Sequence, residues 1–146
     1  MKRLGEIIDG HPLFHVPSTA SVREVARTMS EHNIGAIAVL DAGNLVGIFS
    51  ERDILTRVVA EGRDPERTRI DSVMTTDLVV ASPADDINEA LQKMRDCNCR
   101  HLPVVHDGNL LGMISIRDLL QIDDDANRAK ASFLRELVTY SPDYET

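Results

Sequence analysis

Apolar residues recur along this chain in short regular groups, and the groups come in two copies. Val22, Val25, Ala26 and Met29 fall at i, i+3, i+4 and i+7, the spacing of one helix face. Ile87, Ala90, Leu91 and Met94 repeat it. Ser21 and Asp86 precede these runs, with Glu24 and Glu89 three residues on, which predicts a reciprocal capping box at each start. Asn33 and Asn98 are predicted to end the helices in a left-handed conformation. Two near-continuous apolar runs follow, Ala36 to Leu40 and Leu45 to Phe49, split by Asp41-Ala42-Gly43-Asn44. The second copy runs Leu102 to Val105 and Leu110 to Ile114, split by His106-Asp107-Gly108-Asn109. Asp-Gly between apolar runs is a hairpin signal, and unbroken apolar character points to strands buried on both faces. Pro103 falls at a strand start, where a missing N–H is tolerated.

Each copy reads as a unit of one plan. A helical turn leads (Leu4 to Ile8; Ile70 to Met74), then a brief strand (Leu13 to Val16; Leu78 to Ala81). The capped helix, the strand pair and a second helix (Glu51 to about Glu61; Ile116 to about Ile122) complete a β-α-β-β-α unit. Sliding the sequence by 65 positions lays Val22 on Ile87, Met29 on Met94, Asn33 on Asn98 and Ser50 on Ser115. This register needs no gap from about Leu4 to Leu55 against Arg69 to Leu120, which implies a duplication. Gly62-Arg63-Asp64-Pro65 reads as helix stop and turn. The expected divisions are residues 1–65, 66–125, and a helix and tail over 126–146, the helix carrying Phe133, Leu134, Leu137 and Val138.

Composition narrows the chemistry. With 146 residues and 42% apolar, the chain can build a core without metal or disulfides. Its net charge of −8 and 3% aromatic content, with no Trp, argue against nucleic-acid binding through a basic face or stacking platform. The start of the chain lacks the apolar stretch of a signal peptide, and no run reaches the roughly 20 apolar residues of a membrane span. Cys97 and Cys99, one residue apart, are expected to be free thiols, which fits a reducing cytoplasm. With His101 and His106 they resemble a metal cluster only loosely, since zinc sites use wider Cys spacing and a second pair, so no metal is expected. No Ser/His/Asp arrangement and no Gly-rich phosphate loop has supporting context, so no catalytic residue is assigned. His11, His15 and His32 read as loop or surface residues.

The most informative stretches are Gly47-Ile48-Phe49-Ser50-Glu51-Arg52-Asp53 and Gly112-Met113-Ile114-Ser115-Ile116-Arg117-Asp118. With Val73-Met74-Thr75 and Arg100-His101-Leu102-Pro103-Val104-Val105, they resemble a tandem pair of CBS domains (a Bateman module) over about residues 4 to 122. The resemblance implies an α+β fold in which two β-α-β-β-α repeats pack with pseudo-two-fold symmetry. It also implies a stand-alone regulatory module, homodimerisation, and an adenine nucleotide (AMP, ADP, ATP, NAD or S-adenosylmethionine) in clefts between the repeats. The protein partner is left unspecified, and no reaction is expected. The first repeat departs from the second: it has Gly35-Ala36-Ile37-Ala38 where the second has Arg100-His101-Leu102-Pro103, and Ile8-Asp9-Gly10 in place of Val-Met-Thr. The two clefts therefore need not take the same ligand, and one could be empty.

Physical chemistry gives each residue of the motif a task. Ser50 and Ser115 would stand at helix N-termini, where unpaired N–H groups and the positive dipole end favour phosphate. Asp53 and Asp118, one turn in, could accept both hydroxyls of a ribose. Arg52 and Arg117 could pair with phosphate. Adenine candidates lie around Val16, Ser18, Ala36 and Ile37 in the first repeat, and Ala81, Pro83, Leu102 and Pro103 in the second. Arg100 and His101 begin the strand expected to face the second cleft. Ser-x-x-Asp is equally a capping box, with Ser at the N-cap and an acid at N3; one Ser can serve both roles. The alternative function is an interaction scaffold with degenerate, ligand-free clefts.

Overall fold

The computed structural model describes residues 2–122 and 134–136. The elements in order are α1 (Leu4–Ile8), β1 (His15–Val16), α2 (Val22–His32), β2 (Ala36–Asp41), β3 (Asn44–Ser50), α3 (Glu51–Asp53), α4 (Ile87–Cys97), β4 (His101–His106), β5 (Asn109–Ser115) and α5 (Ile116–Leu120). Several elements differ from expectation. The second helix of the first repeat leaves α geometry after Asp53 and continues as a π-helix over Ile54–Val59, closed by the Ala60 N–H on the Leu55 carbonyl at 2.9 Å. A 3₁₀ turn, Ile70–Ser72, leads the second repeat. The expected strand Leu78 to Ala81 shrinks to a single parallel bridge, Ala81 to Val104. In the register of that bridge, the next bond back would need an N–H from Pro103, which has none. The helix and tail expected beyond residue 122 lie outside the described residues, apart from Leu134, Arg135 and Glu136, which are helical.

Helix limits follow local chemistry. Ser21 accepts from the Glu24 N–H at 3.1 Å and Asp86 from the Glu89 N–H at 3.0 Å. The reciprocal bond expected from each Glu back to the cap N–H does not form; Glu24 accepts from the Ser21 hydroxyl instead. Asn33 and Asn98 end the helices at φ 53° and 52°, in the left-handed region. The strand pairs are hairpins closed by two-residue turns: Ala42-Gly43 at φ 51° and 80°, Asp107-Gly108 at φ 51° and 78°. Both central residues of such a turn need positive φ, which suits Asn-Gly or Asp-Gly and strains Ala. Ala42→Asn should therefore raise stability by about 0.5–1 kcal/mol. Chemical denaturation measures this as a higher midpoint at constant slope.

The chain divides into two compact units. Among the described residues, one comprises Pro12–Leu78 and takes in Gly108–Leu110; the other joins residues 2–11 with Val79–Asp107 and residues 111–122. Each repeat's leading segment thus packs in the other repeat's unit. In the first unit β1 pairs parallel with β2 (Val16 to Val39) and β2 antiparallel with β3 (Ile37 to Phe49, Ala36 to Ser50). Its core holds Val22, Val25, Met29, Ile37, Phe49, Val58 and Ile70. The leading turn docks there by backbone bonds: Ile70 N–H to Ala20, Asp71 N–H to Ser18, and the mutual pair between Ile48 and Thr75. Gly47 allows this approach, because a Cβ there would fall on the Met74 side chain.

In the second unit β4 pairs with β5, over a core of Leu4, Ile87, Ala90, Leu91, Met94, Leu102, Val104, Ile114 and Leu119. Leu4 N–H bonds Asp85 and Gly5 N–H bonds Pro83; Ile8 lies over Gly112 as Met74 does over Gly47. These equivalences set the leading segments 66 apart (Leu4 with Ile70, Ile8 with Met74), whereas Val16 and Ala81 stay 65 apart. The gapless register is thereby corrected: the first repeat holds one extra residue between its leading turn and β1.

The cysteines are also corrected. Cys97 and Cys99 are joined in a disulfide, their Cα atoms 5.3 Å apart. Left-handed Asn98 turns the chain back between them, bringing them within the ordinary Cα range of a bridge. Paired in this way, the two cysteines give no sign of a reducing compartment.

Candidate functional site

Both Ser-x-x-Asp stretches form the strand-to-helix junction expected, and both are complete capping boxes. Ser50 ends β3 at φ −123°, ψ 167°, accepts from the Asp53 N–H at 3.3 Å and donates its own N–H to Asp53 Oδ2 at 3.0 Å. Ser115 and Asp118 do the same at 3.0 and 2.8 Å. The first helical N–H is spoken for as well: Glu51 donates to Gly35 and Ile116 to Arg100. Those two bonds tie each junction to the start of β2 or β4. They bring Ala36 beside Ser50, and Arg100 and His101 beside Ser115.

The junctions differ in what surrounds the acid. Asp53 is buried, 6% exposed. Its carboxylate meets four donors: the Ser50 N–H (3.0 Å) and hydroxyl (3.1 Å) on Oδ2, the Thr75 hydroxyl (3.4 Å) and Arg57 Nε (3.5 Å) on Oδ1. Arg57 is fixed by further bonds to the Val73 and Met74 carbonyls. Asp118 is part-exposed, and among the described residues only the Ser115 N–H donates to it. The sequence accounts for this: the positions equivalent to Thr75 and Arg57 hold Asp9 and Ile122, neither of which supplies a side-chain donor.

His101, beside Asp118, is part-buried. Burial pushes its pKa from 6.5 down to about 4; Asp118 opposes that shift, and Arg100 and Arg117 add to it. At neutral pH it is an uncharged imidazole, able to give or accept a hydrogen bond but not to neutralise a phosphate.

The remaining sequence-predicted residues divide into those near a junction and those elsewhere. Arg52 and Arg117 are exposed on the first turns of their helices. Val16, Ile37, Ala81 and Leu102 lie in the cores, so their side chains do not line a surface slot, and buried Ala36 offers only its methyl. The Ala81 N–H and carbonyl are both used, by Pro103 and Val105. Ser18 is not brought to its junction. Its N–H bonds Asp41 at the far end of β2 from Ala36, roughly 16 Å along the strand at about 3.3 Å per residue. This contact, the Ser18 side chain first and its N–H second, holds the Asp41 carboxyl below its usual range. Pro83 gives its carbonyl to Gly5 and belongs to the docking of α1.

Sequence reasoning missed Thr75, Arg57, Val79 and Val80. The i,i+4 spacing of Asp53 and Arg57 is a readable signal; Thr75 reaches Asp53 only because the leading segments trade places. Val79 and Val80 are 41% and 40% exposed beside the start of β4, where the missing Pro103 N–H frees the chain from the sheet. A cavity of about 300 Å³ also opens in this unit, lined by Gly5, Ile8, Asp9, Gly10, His11 and Leu111; none of the junction residues lines it. Among the described residues no group of three or more His, Cys, Asp or Glu could hold a metal ion, and no helix is long and apolar enough to cross a membrane.

A duplicated α+β unit, with a capped Gly-apolar-apolar-Ser-x-x-Asp junction in each copy, defines a tandem-repeat module. The chain belongs to the CBS domain family, whose pattern matches residues 4–60 and 70–125. It is 35% identical over 122 residues to the CBS domain-containing protein YhcV of Bacillus subtilis, covering 84% of this chain and 86% of that one. It is 33% identical over 126 residues to the mitochondrial CBS domain-containing protein CBSX3 of Arabidopsis thaliana; these cover 83% of this chain but 61% of the plant protein, less than two thirds of its length. Among solved structures, the CBS domain protein PAE2072 of Pyrobaculum aerophilum, complexed with AMP, is 31% identical. It superposes at TM-score 0.75 over 94% of this chain and 98% of its own.

Proposed function

We propose that this chain is a regulatory module that binds an adenine nucleotide and acts on a protein partner in trans, catalysing no reaction itself. The observation that carries the reading is the part-exposed Asp118 carboxylate, which among the described residues accepts from the Ser115 N–H alone, at a junction shared with His101, Arg100 and Arg117. The AMP complex of the 31% identical relative supports adenine as the base. In this reading Asp118 accepts the ribose hydroxyls, Arg117 and Arg100 face the phosphate, and exposed Val79 and Val80 offer apolar surface to the base. AMP, ADP, ATP and NAD share the groups these residues would recognise. Binding would shift the balance between two states of the module by no more than the ligand's difference in affinity for them. A homodimer in the cytoplasm is part of the same proposal; exposed Leu55 and Val59 give it an apolar surface to use.

Asp118→Ala should weaken AMP binding by about 10–100-fold, since a charged acceptor for two hydroxyls is worth about 1.5–3 kcal/mol. Titration calorimetry measures it, and unchanged affinity removes the ribose assignment. The scaffold reading keeps one specific support, the buried Asp53 carboxylate, held by three hydrogen bonds and an ion pair. Partner capture undiminished in an Asp53→Asn/Asp118→Asn double variant would favour it.

A further inference from the structure

We infer that the two repeats are not equivalent as nucleotide sites: the chain takes one adenine nucleotide, at the Asp118 junction, and the Asp53 junction is closed. This rests on the nucleotide reading above and adds to it the stoichiometry and the address. Three independent observations carry it.

The first is the acceptor. An ionised carboxylate has about four lone-pair positions. At Asp53 the Ser50 N–H, the Ser50 hydroxyl and the Thr75 hydroxyl occupy three, Arg57 adds an ion pair at 3.5 Å, and the side chain is buried. A ribose would have to displace Thr75 and Arg57, and Arg57 is itself tied to the Val73 and Met74 carbonyls. Asp118 has one such donor among the described residues, because Asp9 and Ile122 replace Thr75 and Arg57.

The second is the apolar surface. Phe14 in the first repeat packs against its own core and stacks on His32, ring centroids 4.0 Å apart. Its equivalent, Val79, is released from the sheet by Pro103 and lies 41% exposed. The second unit therefore offers a flat base more exposed apolar surface at this position than the first.

The third is charge. The backbone that accepts the first helical N–H belongs to Gly35 in one unit, followed by Ala36, and to Arg100 in the other, followed by His101. Only the second junction has polar side chains there to meet phosphate and ribose.

Titration calorimetry of the full chain with AMP should give one site per chain. Asp118→Asn should weaken that site more than tenfold and leave no second tight one. Two equal sites in the unsubstituted protein, or a full-affinity site surviving in Asp118→Asn, would overturn the inference while leaving nucleotide binding standing. Absence of heat from AMP, ADP, ATP and NAD alike would overturn both. Hydrogen exchange on the unsubstituted chain serves as a check independent of any variant's folding. Saturating AMP should slow exchange in the peptide containing residues 115–118 and leave that containing 50–53 unchanged; the opposite pattern refutes the assignment.

Discussion

Phe49→Ala is expected to destabilise the protein by about 3–5 kcal/mol, the cost of deleting a large side chain from a core that cannot close over the gap. Phe49 is fully buried, near the end of β3 and opposite Ile37 of the central strand β2. Val22, Val25, Met29 and Val58 share its core, so the cavity would be walled by two helices and a sheet that are separately fixed. Ser50 follows directly, so the substitution also loosens the start of α3. Denaturant unfolding should show a lower midpoint with little change in slope. A loss under about 1 kcal/mol would mean that this core repacks freely, and the account of a rigid strand feeding the junction would be wrong.

Acid should weaken the fold through His101. Its folded pKa is depressed, from 6.5 to about 4, mainly by burial. The unfolded chain therefore takes up a proton that the folded chain refuses anywhere between those values. Stability from this group is fully present above pH 6.5, falls as pH drops towards 4, and falls no further below that. The full window corresponds to about 3 kcal/mol, at about 1.4 kcal/mol per pKa unit. The groups acting on His101 are Asp118, which favours its charged form, and Arg100 and Arg117, which oppose it. Comparing stability at pH 7 and pH 4.5 for the unsubstituted chain and His101→Gln isolates the contribution. The variant should lose distinctly less on acidification, and equal losses would show that His101 is not buried as a neutral ring.

Local rules wrote much of the fold plainly. Ser21, Asp86, Asn33 and Asn98 mark both ends of α2 and α4, because capping is decided within a few residues. The hairpins were visible for the same reason, and their observed strands exceed the predicted ones by at most one residue at either end. Features that depend on distant residues were not visible. The loss of a strand before Ala81 depends on a proline more than twenty positions away that must pair with it. The 66-residue spacing of the leading segments emerges only when Leu4 and Ile70 are seen bonded to Asp85 and Ala20.

The candidate site shows the same division. The motif located both junctions, and the departures of the first repeat gave notice that the two could differ. Ser18 lies away from its junction because parallel β1 carries the chain to the far end of β2, and the Pro83 carbonyl is engaged in docking α1. The engagement of Asp53 by Thr75 could not be read from a motif, since Thr75 belongs in sequence to the second repeat and in space to the first.

An adenine nucleotide that seats its ribose on Asp118 is central to the function proposed for this chain. Calorimetric titration of the unsubstituted chain with AMP tests this most directly. The expected result is saturable heat at one ligand per chain; silence with AMP, and then with ADP, ATP and NAD, would contradict it.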